Sequence, residues 1–240
     1  MRKKVKKIVM MTMVIAPLTA GAQDKVEASV GADVVSGYVW RGQDLGHAAV
    51  QPSASVAYKG FSLGAWGSYG IVDSGDTKEL DLTASYSAGG FTVGVTDYWF
   101  SGAEEKDRYF MYNAHRTAHV FEANVGYDFG KCSVNWYTNF AGSDYRADGK
   151  RAYSSYVEIA APFKLGGLQW NAAVGAVPFK SAATYLDASG NPVGGFAVTN
   201  ITLSASRDVR ITEQFSLPVF AAVTANPNSQ KMYLTFGMSL

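Results

Sequence analysis

Histidine and carboxylate side chains are the first candidates for chemistry in this 240-residue sequence, which has only three histidines. His115 and His119 follow Glu104, Glu105 and Asp107 within one stretch. A histidine beside a carboxylate is the pair with which hydrolases activate a nucleophile. In a loop that runs into a strand, however, a spacing of four residues does not put both rings on one face, as it would on a helix. The pattern therefore favours surface histidines in a loop, and we expect no enzymatic activity and no catalytic residue.

The first 22 residues, MRKKVKKIVMMTMVIAPLTAGA, have the organisation of a secretory signal peptide. Five basic residues precede an apolar stretch from Ile8 to about Ala16, and Ala20 and Ala22 follow in an A-x-A arrangement. A transmembrane anchor is the alternative, but the apolar run is shorter than the roughly 20 residues that a spanning helix needs. We therefore divide the chain into a signal peptide, residues 1–22, cleaved near Ala22, and one mature domain, residues 23–240.

Charge and cysteine content exclude several classes of protein. Of the 21 basic residues five lie in the signal peptide, which has no acidic residue, so the mature chain carries 16 basic and 20 acidic residues, a net charge of −4. This mild acidity gives no sign of a nucleic-acid partner. Cys132 is the only cysteine, which excludes a disulfide scaffold and a cysteine-built metal site. We expect no metal and no cofactor.

Alternation of apolar and polar residues recurs in twelve stretches of roughly ten residues each in the mature chain. Residues 79–86, ELDLTASY, and residues 121–128, FEANVGYD, are examples. Such alternation predicts strands with one apolar and one polar face. Pro52 and Pro218 interrupt two of the stretches, and proline cannot donate to a strand ladder. Ten strands is therefore the alternative to twelve.

The predicted connections alternate between short and long. The long ones lie near residues 36–48, 72–78, 101–117, 142–150, 180–195 and 225–230. An outer-membrane barrel has short periplasmic turns, longer external loops and an even number of strands. A soluble sandwich, the alternative architecture, has no reason to keep this rhythm.

Aromatic residues gather near the strand ends and not at the strand centres where a sandwich core would lie. Tyr58, Phe61, Tyr86 and Phe91 flank short turns, and others lie near the long loops, as in the two aromatic girdles of a membrane barrel. About ten tilted residues cross the hydrocarbon layer, and the sheet must close because unpaired backbone groups are costly in lipid. The predicted fold is an all-β, closed antiparallel transmembrane barrel.

One stretch carries a family resemblance. Residues 36–46, SGYVWRGQDLG, followed by residues 51–68, QPSASVAYKGFSLGAWGS, resemble the opening of the TorF-type family of outer-membrane porins. The residues that match are Ser36, Tyr38, Val39, Trp40, Arg41, Gly42, Gln43, Pro52, Gly60, Gly64 and Trp66. The match covers about a fifth of the mature chain, and the residues after Gln43 depart from the family's polar run. The resemblance implies an outer-membrane barrel and a porin, and it names no solute.

Arg41, at the top of the first strand, has two interpretations. It either folds inward and sets anion preference at a constriction, or it ties the first loop to an inward carboxylate. The carboxylates considered are Glu79, Asp81 and Glu158. We favour the tie, because a bidentate arginine–carboxylate pair in a shielded lumen holds a loop well.

The remaining candidates are inward-facing polar residues and one loop. The predicted lumen residues are Arg41, Glu79, Asp81, Glu122, Asn124, Asn135, Asn139 and Glu158, and the predicted loop constriction comprises Glu104, Glu105 and Arg108. Side chains fill a barrel of about eight strands, whereas 16 or more leave an open channel. Twelve lies between them, so a narrow pore and a plugged barrel are both open at this point.

These observations predict a monomeric barrel in the outer membrane of a Gram-negative bacterium. The expected function is passive diffusion of small hydrophilic solutes through a narrow, weakly selective pore. The alternative is a non-conducting barrel with a structural or surface-binding role, and a membrane lipase or protease is the least favoured. The expected partners are outer-membrane lipid and small solutes, with no nucleic acid.

Overall fold

The structure is a computed structural model that describes residues 25–73, 75–76, 78–101, 108–182 and 184–240. The predicted signal peptide, residues 1–22, lies outside the described residues. So do Glu104 and Glu105, two of the three predicted constriction residues.

Strands make up the regular structure of the described residues. They are β1 (Glu27–Val35), β2 (Tyr38–Trp40), β3 (Gln43–Gly46), β4 (Ala49–Tyr58), β5 (Phe61–Gly70), β6 (Lys78–Ala88), β7 (Phe91–Ser101), β8 (His119–Asp128), β9 (Ser133–Gly142), β10 (Ser155–Leu165), β11 (Leu168–Val177), β12 (Ala197–Arg210), β13 (Ser216–Asn226) and β14 (Lys231–Ser239). No helix within these ranges combines the length and the hydrophobicity that crossing a membrane requires.

Twelve strands close into one antiparallel barrel, in the order β1–β14–β13–β12–β11–β10–β9–β8–β7–β6–β5–β4. β1 pairs with β4 on one side and, through Asp33↔Ser239 to Val35↔Gly237, with β14 on the other. Ring closure of this kind leaves no sheet edge with unpaired backbone groups. The prediction of a closed all-β barrel with twelve strands is confirmed, and the alternative of ten is wrong.

The prolines lie inside strands at points where a ladder is interrupted. Pro218 pairs with Asp208 of β12, but the β13–β14 ladder begins only at Val219. Pro52 pairs with Ala32 of β1 and falls in a gap of the β4–β5 register. Proline has no N–H to donate to a neighbouring strand. Each proline therefore lies where the ladder on one side needs no hydrogen bond from it.

The strands present an apolar face outward and a small, polar face inward. On β6, Leu82 and Tyr86 are exposed, whereas Glu79 and Asp81, which precede them with the opposite parity of the alternation, are buried. Outward aromatic rings of neighbouring strands meet beside the short connections, in the pairs Phe61–Tyr86, Phe91–Tyr127 and Phe163–Trp170. The two-residue period of the sequence therefore sorts side chains between outer wall and interior.

The first long connection contains a hairpin that alternation did not predict. β2 and β3 pair with each other and form a separate two-stranded sheet. The hairpin contacts inward residues of distant barrel strands, including Trp66 on β5 and Asn226 on β13. It therefore lies inside the barrel, at the end where the long connections are.

Candidate functional site: two loops packed inside the barrel

The tip of the β2–β3 hairpin carries Arg41. Arg41 and Gly42 are the two residues between the strands, and both have positive φ, 49° and 80°. Positive φ at both central residues is the geometry of a type I′ turn, whose twist suits a tight hairpin. A Cβ on Gly42 would lie 1.8 Å from the backbone oxygen of Thr199, so the turn packs directly against β12. The hairpin thus holds Arg41 in the interior with little freedom.

Arg41 pairs with Glu122 of β8 across the interior. Its Nη1 donates to Glu122 Oε2 at 2.7 Å, and its Nη2 donates to Oε1 at 2.8 Å. The two side chains are only 6% and 4% exposed. Nη1 also donates to the Tyr185 hydroxyl at 2.7 Å, and the Tyr98 hydroxyl donates to Glu122 at 2.9 Å. The charges of Arg41 and Glu122 thus balance each other, and both side chains have hydrogen-bond partners although they are buried.

Aromatic rings surround the Arg41 guanidinium. Its Cζ lies 4.3 Å from the ring centroid of Trp40, 4.2 Å from that of Tyr137 and 4.7 Å from that of Tyr156. A planar guanidinium binds aromatic faces while its edge donates hydrogen bonds, so one side chain joins the hairpin to β8, β9 and β10.

The connection between β11 and β12 forms the second part of the closure. Tyr185 stacks on Trp40 and on Tyr156, with centroids 6.0 Å and 5.8 Å apart. Tyr185 and Val193 belong to a buried cluster with wall residues of β9, β10 and β11. Gln43 of the hairpin also donates to the Thr184 carbonyl at 2.7 Å. We call the hairpin and this connection, residues 36–48 and 178–196, the plug.

Burial and charge act together on the Tyr185 hydroxyl. Burial raises the pKa of Tyr185, and the positive charge of Arg41 offsets part of that rise. The hydroxyl therefore stays neutral near pH 7 and can accept the hydrogen bond from Arg41.

A cavity of about 110 Å³ lies beside the plug inside the barrel. Its lining combines aromatic rings with amide, hydroxyl and carboxylate groups, and includes Asp33, Gln51, Trp66, Asn200, Ser204 and Phe220. The volume exceeds by several times the ~10–15 Å³ that one water needs. The plug therefore fills part of the interior and leaves a cavity next to it.

The predicted lumen residues all face the interior. Glu79, Asp81, Glu122, Asn124, Asn139 and Glu158 are buried, and Asn135 is half-buried. Arg41 joins one of them, as favoured from the sequence, but its partner is Glu122 and not one of the three carboxylates considered there. The reason is tertiary, because the fold of the hairpin decides which strand its tip reaches.

Arg108, the described member of the predicted constriction, lies outside the lumen. It is exposed, and the segment that follows it covers the outer wall of the barrel, where Tyr109 contacts Trp99 and Tyr112 lies 4.6 Å from His119. The expectation that this part of the loop constricts the pore is therefore wrong for Arg108. The plug comes from two other loops.

His119 is also placed differently from the sequence-based expectation of a surface histidine. It is fully buried, its Nδ1 lies 2.7 Å from Asp97 Oδ1, and its Nε2 lies 2.6 Å from the Tyr109 carbonyl. Asp97 sits on the outward parity of β7 and pairs with Phe121 of β8. Both ring nitrogens are engaged, so neither is available to a reacting molecule.

His47 and Asp76 connect the hairpin loop to the β5–β6 loop at the surface. His47 Nδ1 lies 2.9 Å from Asp76 Oδ1. The hydrogen bond and the negative charge of Asp76 raise the pKa of His47, and the same hydrogen bond lowers the pKa of Asp76. One nitrogen of His47 and one oxygen each of Asp73 and Asp76 lie within 4.8 Å of one another.

Three functional residues escaped prediction from the sequence, namely Tyr98, Tyr156 and Tyr185. Tyr98 and Tyr156 occupy inward positions of β7 and β10, where polar residues were sought. Tyr185 lies in the middle of its turn-rich loop, between Thr184 and Leu186. Large apolar residues in the middle of such a loop are the signal that could have identified a loop buried in the interior.

Comparison with known proteins places the chain in a family. The fold defines a closed twelve-stranded antiparallel barrel with loops packed in its interior. Residues 19–207 match the model of Gcw_chp, described as a bacterial protein of unknown function, and the chain belongs to this family. No curated protein matches the chain. The narrower resemblance to TorF-type porins stays a prediction.

Proposed function

We propose that the protein is an outer-membrane barrel of a Gram-negative bacterium that acts as a channel for small hydrophilic solutes, closed by the plug in the conformation described here. The outward face supports the membrane location. Valine, leucine, isoleucine and phenylalanine side chains remain exposed around the barrel, in positions such as Leu63, Ile159, Leu203 and Phe236. Exposed apolar area on this scale marks a surface that meets lipid or another partner.

The interior supports a passage for polar molecules. Small polar side chains line it, such as the facing pair Thr83 and Thr96 and the pair Thr202 and Thr224. Polar inner walls are typical of barrels that conduct water-soluble solutes. Acidic side chains outnumber Arg41 on this wall, which favours neutral and cationic solutes over anions.

The observation that carries the proposal is that two loops fold into the barrel and pack against its wall, and in the proposed closed state these loops block the passage. The contact between Arg41 and Glu122 joins a loop to the wall, and a loop can leave the wall without breaking a barrel strand. Opening would return both charges to water, and a buried ion pair contributes little net free energy. The stacking of Tyr185 on Trp40 and Tyr156 is therefore what favours the closed state.

Conductance of the reconstituted protein in planar bilayers tests this proposal. The wild type should stay closed with rare openings, and a variant in which residues 37–46 are replaced by a short glycine–serine linker should conduct continuously. A variant shortened in the surface loop between β9 and β10, around Gly149, is the matched control and should behave like the wild type. Silence of the hairpin variant at high voltage would rule out the channel.

That silence would favour the second candidate, a non-conducting barrel with a structural or surface-binding role. The packed plug is the specific observation in its favour, because Tyr185 and Val193 of the plug form a buried apolar cluster with Tyr156 of the wall, as in a permanent core. We also propose that the protein has no enzymatic activity and is a monomer. The engagement of both nitrogens of His119 supports the former.

A further inference from the structure

Glu79 and Asp81 are two buried carboxylates whose charge the described residues do not balance. They lie two positions apart on the inner face of β6 and are 7% and 1% exposed. Both Asp81 oxygens and Glu79 Oε2 lack a hydrogen-bond partner among the described residues. A buried carboxylate without a donor is costly, so these three oxygens need a ligand.

The other acids of the inner wall show the contrast. Glu122 receives hydrogen bonds from Arg41 and Tyr98. Glu158 receives them from Tyr156 and Asn200. Glu79 and Asp81 have no ion pair within the part of the chain that the structure describes. The pair is thus a cluster of buried carboxyl groups without a basic partner inside the barrel.

The surroundings of the pair offer further oxygen atoms. The Glu79 carboxylate lies within hydrogen-bonding reach of Asp81 and of the Tyr38 hydroxyl of the hairpin. Ser68 of β5, which is also buried, lies directly opposite Glu79 in the sheet. Carboxylate and hydroxyl oxygens are the ligands of hard cations such as Ca²⁺.

We propose that Glu79 and Asp81 bind one divalent cation of the Ca²⁺ type inside the barrel, next to the Tyr38 hydroxyl. The cation balances the two charges and supplies the partner that three carboxylate oxygens lack. Because Tyr38 belongs to the plug, the cation also holds the hairpin against β5 and β6. This site does not depend on whether the barrel conducts.

Terbium luminescence tests the site directly. Tb³⁺ replaces Ca²⁺ at oxygen sites and emits when a nearby indole is excited. Trp66 lies opposite Asp81 in the β5–β6 ladder, and its ring centroid is 5.5 Å from that of Tyr38. Purified protein in a non-ionic detergent, freed of metal by a chelator, should give indole-sensitised Tb³⁺ emission that added Ca²⁺ removes. Trp66→Phe should lose the emission and keep the rise in thermal unfolding temperature that Ca²⁺ produces.

Matched variants separate this site from the surface. Asp81→Asn and, independently, Glu79→Gln should each lower the Tb³⁺ affinity by at least about tenfold, since even loss of an outer partner of a metal ligand has that effect. Asp73→Asn with Asp76→Asn should leave the emission unchanged.

Two results would overturn the proposal. One is a wild type without sensitised emission, in which case the two carboxyl groups share a proton instead. The other is emission that disappears only in the Asp73 and Asp76 variant. Both readouts use the wild type or a surface variant, so neither depends on the folding of the Asp81 variant.

Discussion

At the residue scale, Arg41 is the side chain that connects the two loops of the plug to the barrel wall. It is a loop residue, yet its side chain contacts a carboxylate, a hydroxyl and three aromatic rings. Lysine could replace the charge but not the planar fork that binds both Glu122 oxygens. The identity of this residue, and not only its charge, therefore matters for the plug.

Replacing Arg41 with methionine should destabilise the plug strongly, because Glu122 is left buried without its partner. We expect a loss of about 3–5 kcal/mol in the free energy of unfolding, measured by urea titration in lipid vesicles. Adding Glu122→Gln should recover part of the loss. Arg151→Met at the surface is the control, and an equal loss in both single variants would contradict the role of Arg41.

A second residue-scale prediction concerns pH and the contact of His47 with Asp76. The pKa of His47 is raised above its ordinary value of about 6.5. The contribution of the His47–Asp76 contact to stability is therefore complete below about pH 6.5 and is lost as pH rises through the raised pKa. The pKa of Asp76 is lowered, so at acid pH the contact is lost only as pH falls through this lowered pKa. NMR titration of the His47 ring should show the raised pKa, and Asp76→Asn should return it toward 6.5. No change in that variant would contradict the contact.

At the element scale, the hairpin β2–β3 is the part of the fold that places a loop inside the barrel. Its turn needs two residues at positive φ, and Gly42 also needs the absence of a Cβ because the Thr199 carbonyl lies against it. Both requirements are local, but together they fix how deep Arg41 reaches.

Gly42→Ala should displace the hairpin from β12. The substitution carries the strain of a left-handed residue, about 1–2 kcal/mol, and in addition a collision with Thr199. Gly190→Ala is the matched control, because Gly190 has a φ of 76° and open space around it. Urea unfolding should show the larger loss for Gly42→Ala, and in bilayers only this variant should open. Equal losses would mean that the hairpin does not press against β12.

At the scale of the whole molecule, the exposed apolar face is the feature on which the proposed membrane location depends. Leu203, near the middle of β12, faces outward between Ala172 and Val223 of the neighbouring strands. No element of the described chain covers Leu203, as the proposed contact with lipid requires.

Leu203→Arg should therefore lower the free energy of unfolding in vesicles by about 2–4 kcal/mol. Ser189→Arg, in an exposed loop, is the control and should have little effect. If the two variants were equally stable in lipid, the outward face would not lie in the hydrocarbon layer and the proposed location would fail.

The sequence alone predicted the barrel, with twelve strands favoured over ten, and the side of the wall on which most strand residues lie. Alternation carries this information because side chains of a strand point to opposite faces with a period of two. A register slip of one residue would turn every polar residue outward, so the alternation is enough to assign residues such as Glu79 and Glu122 to the interior. The alternation of short and long connections predicted in addition that the short turns lie at one end of the barrel and the long loops at the other.

Only the tertiary structure decided what fills the interior. Loops have no such period, so the sequence did not reveal that residues 36–48 form an inward hairpin or that Tyr185 folds beside Arg41. The pairing of Arg41 with Glu122 joins residues 81 positions apart, and the burial of His119 depends on a loop that crosses the outer wall. Such contacts depend on which surfaces come together when the barrel forms. No local pattern of residues in the sequence predicts them.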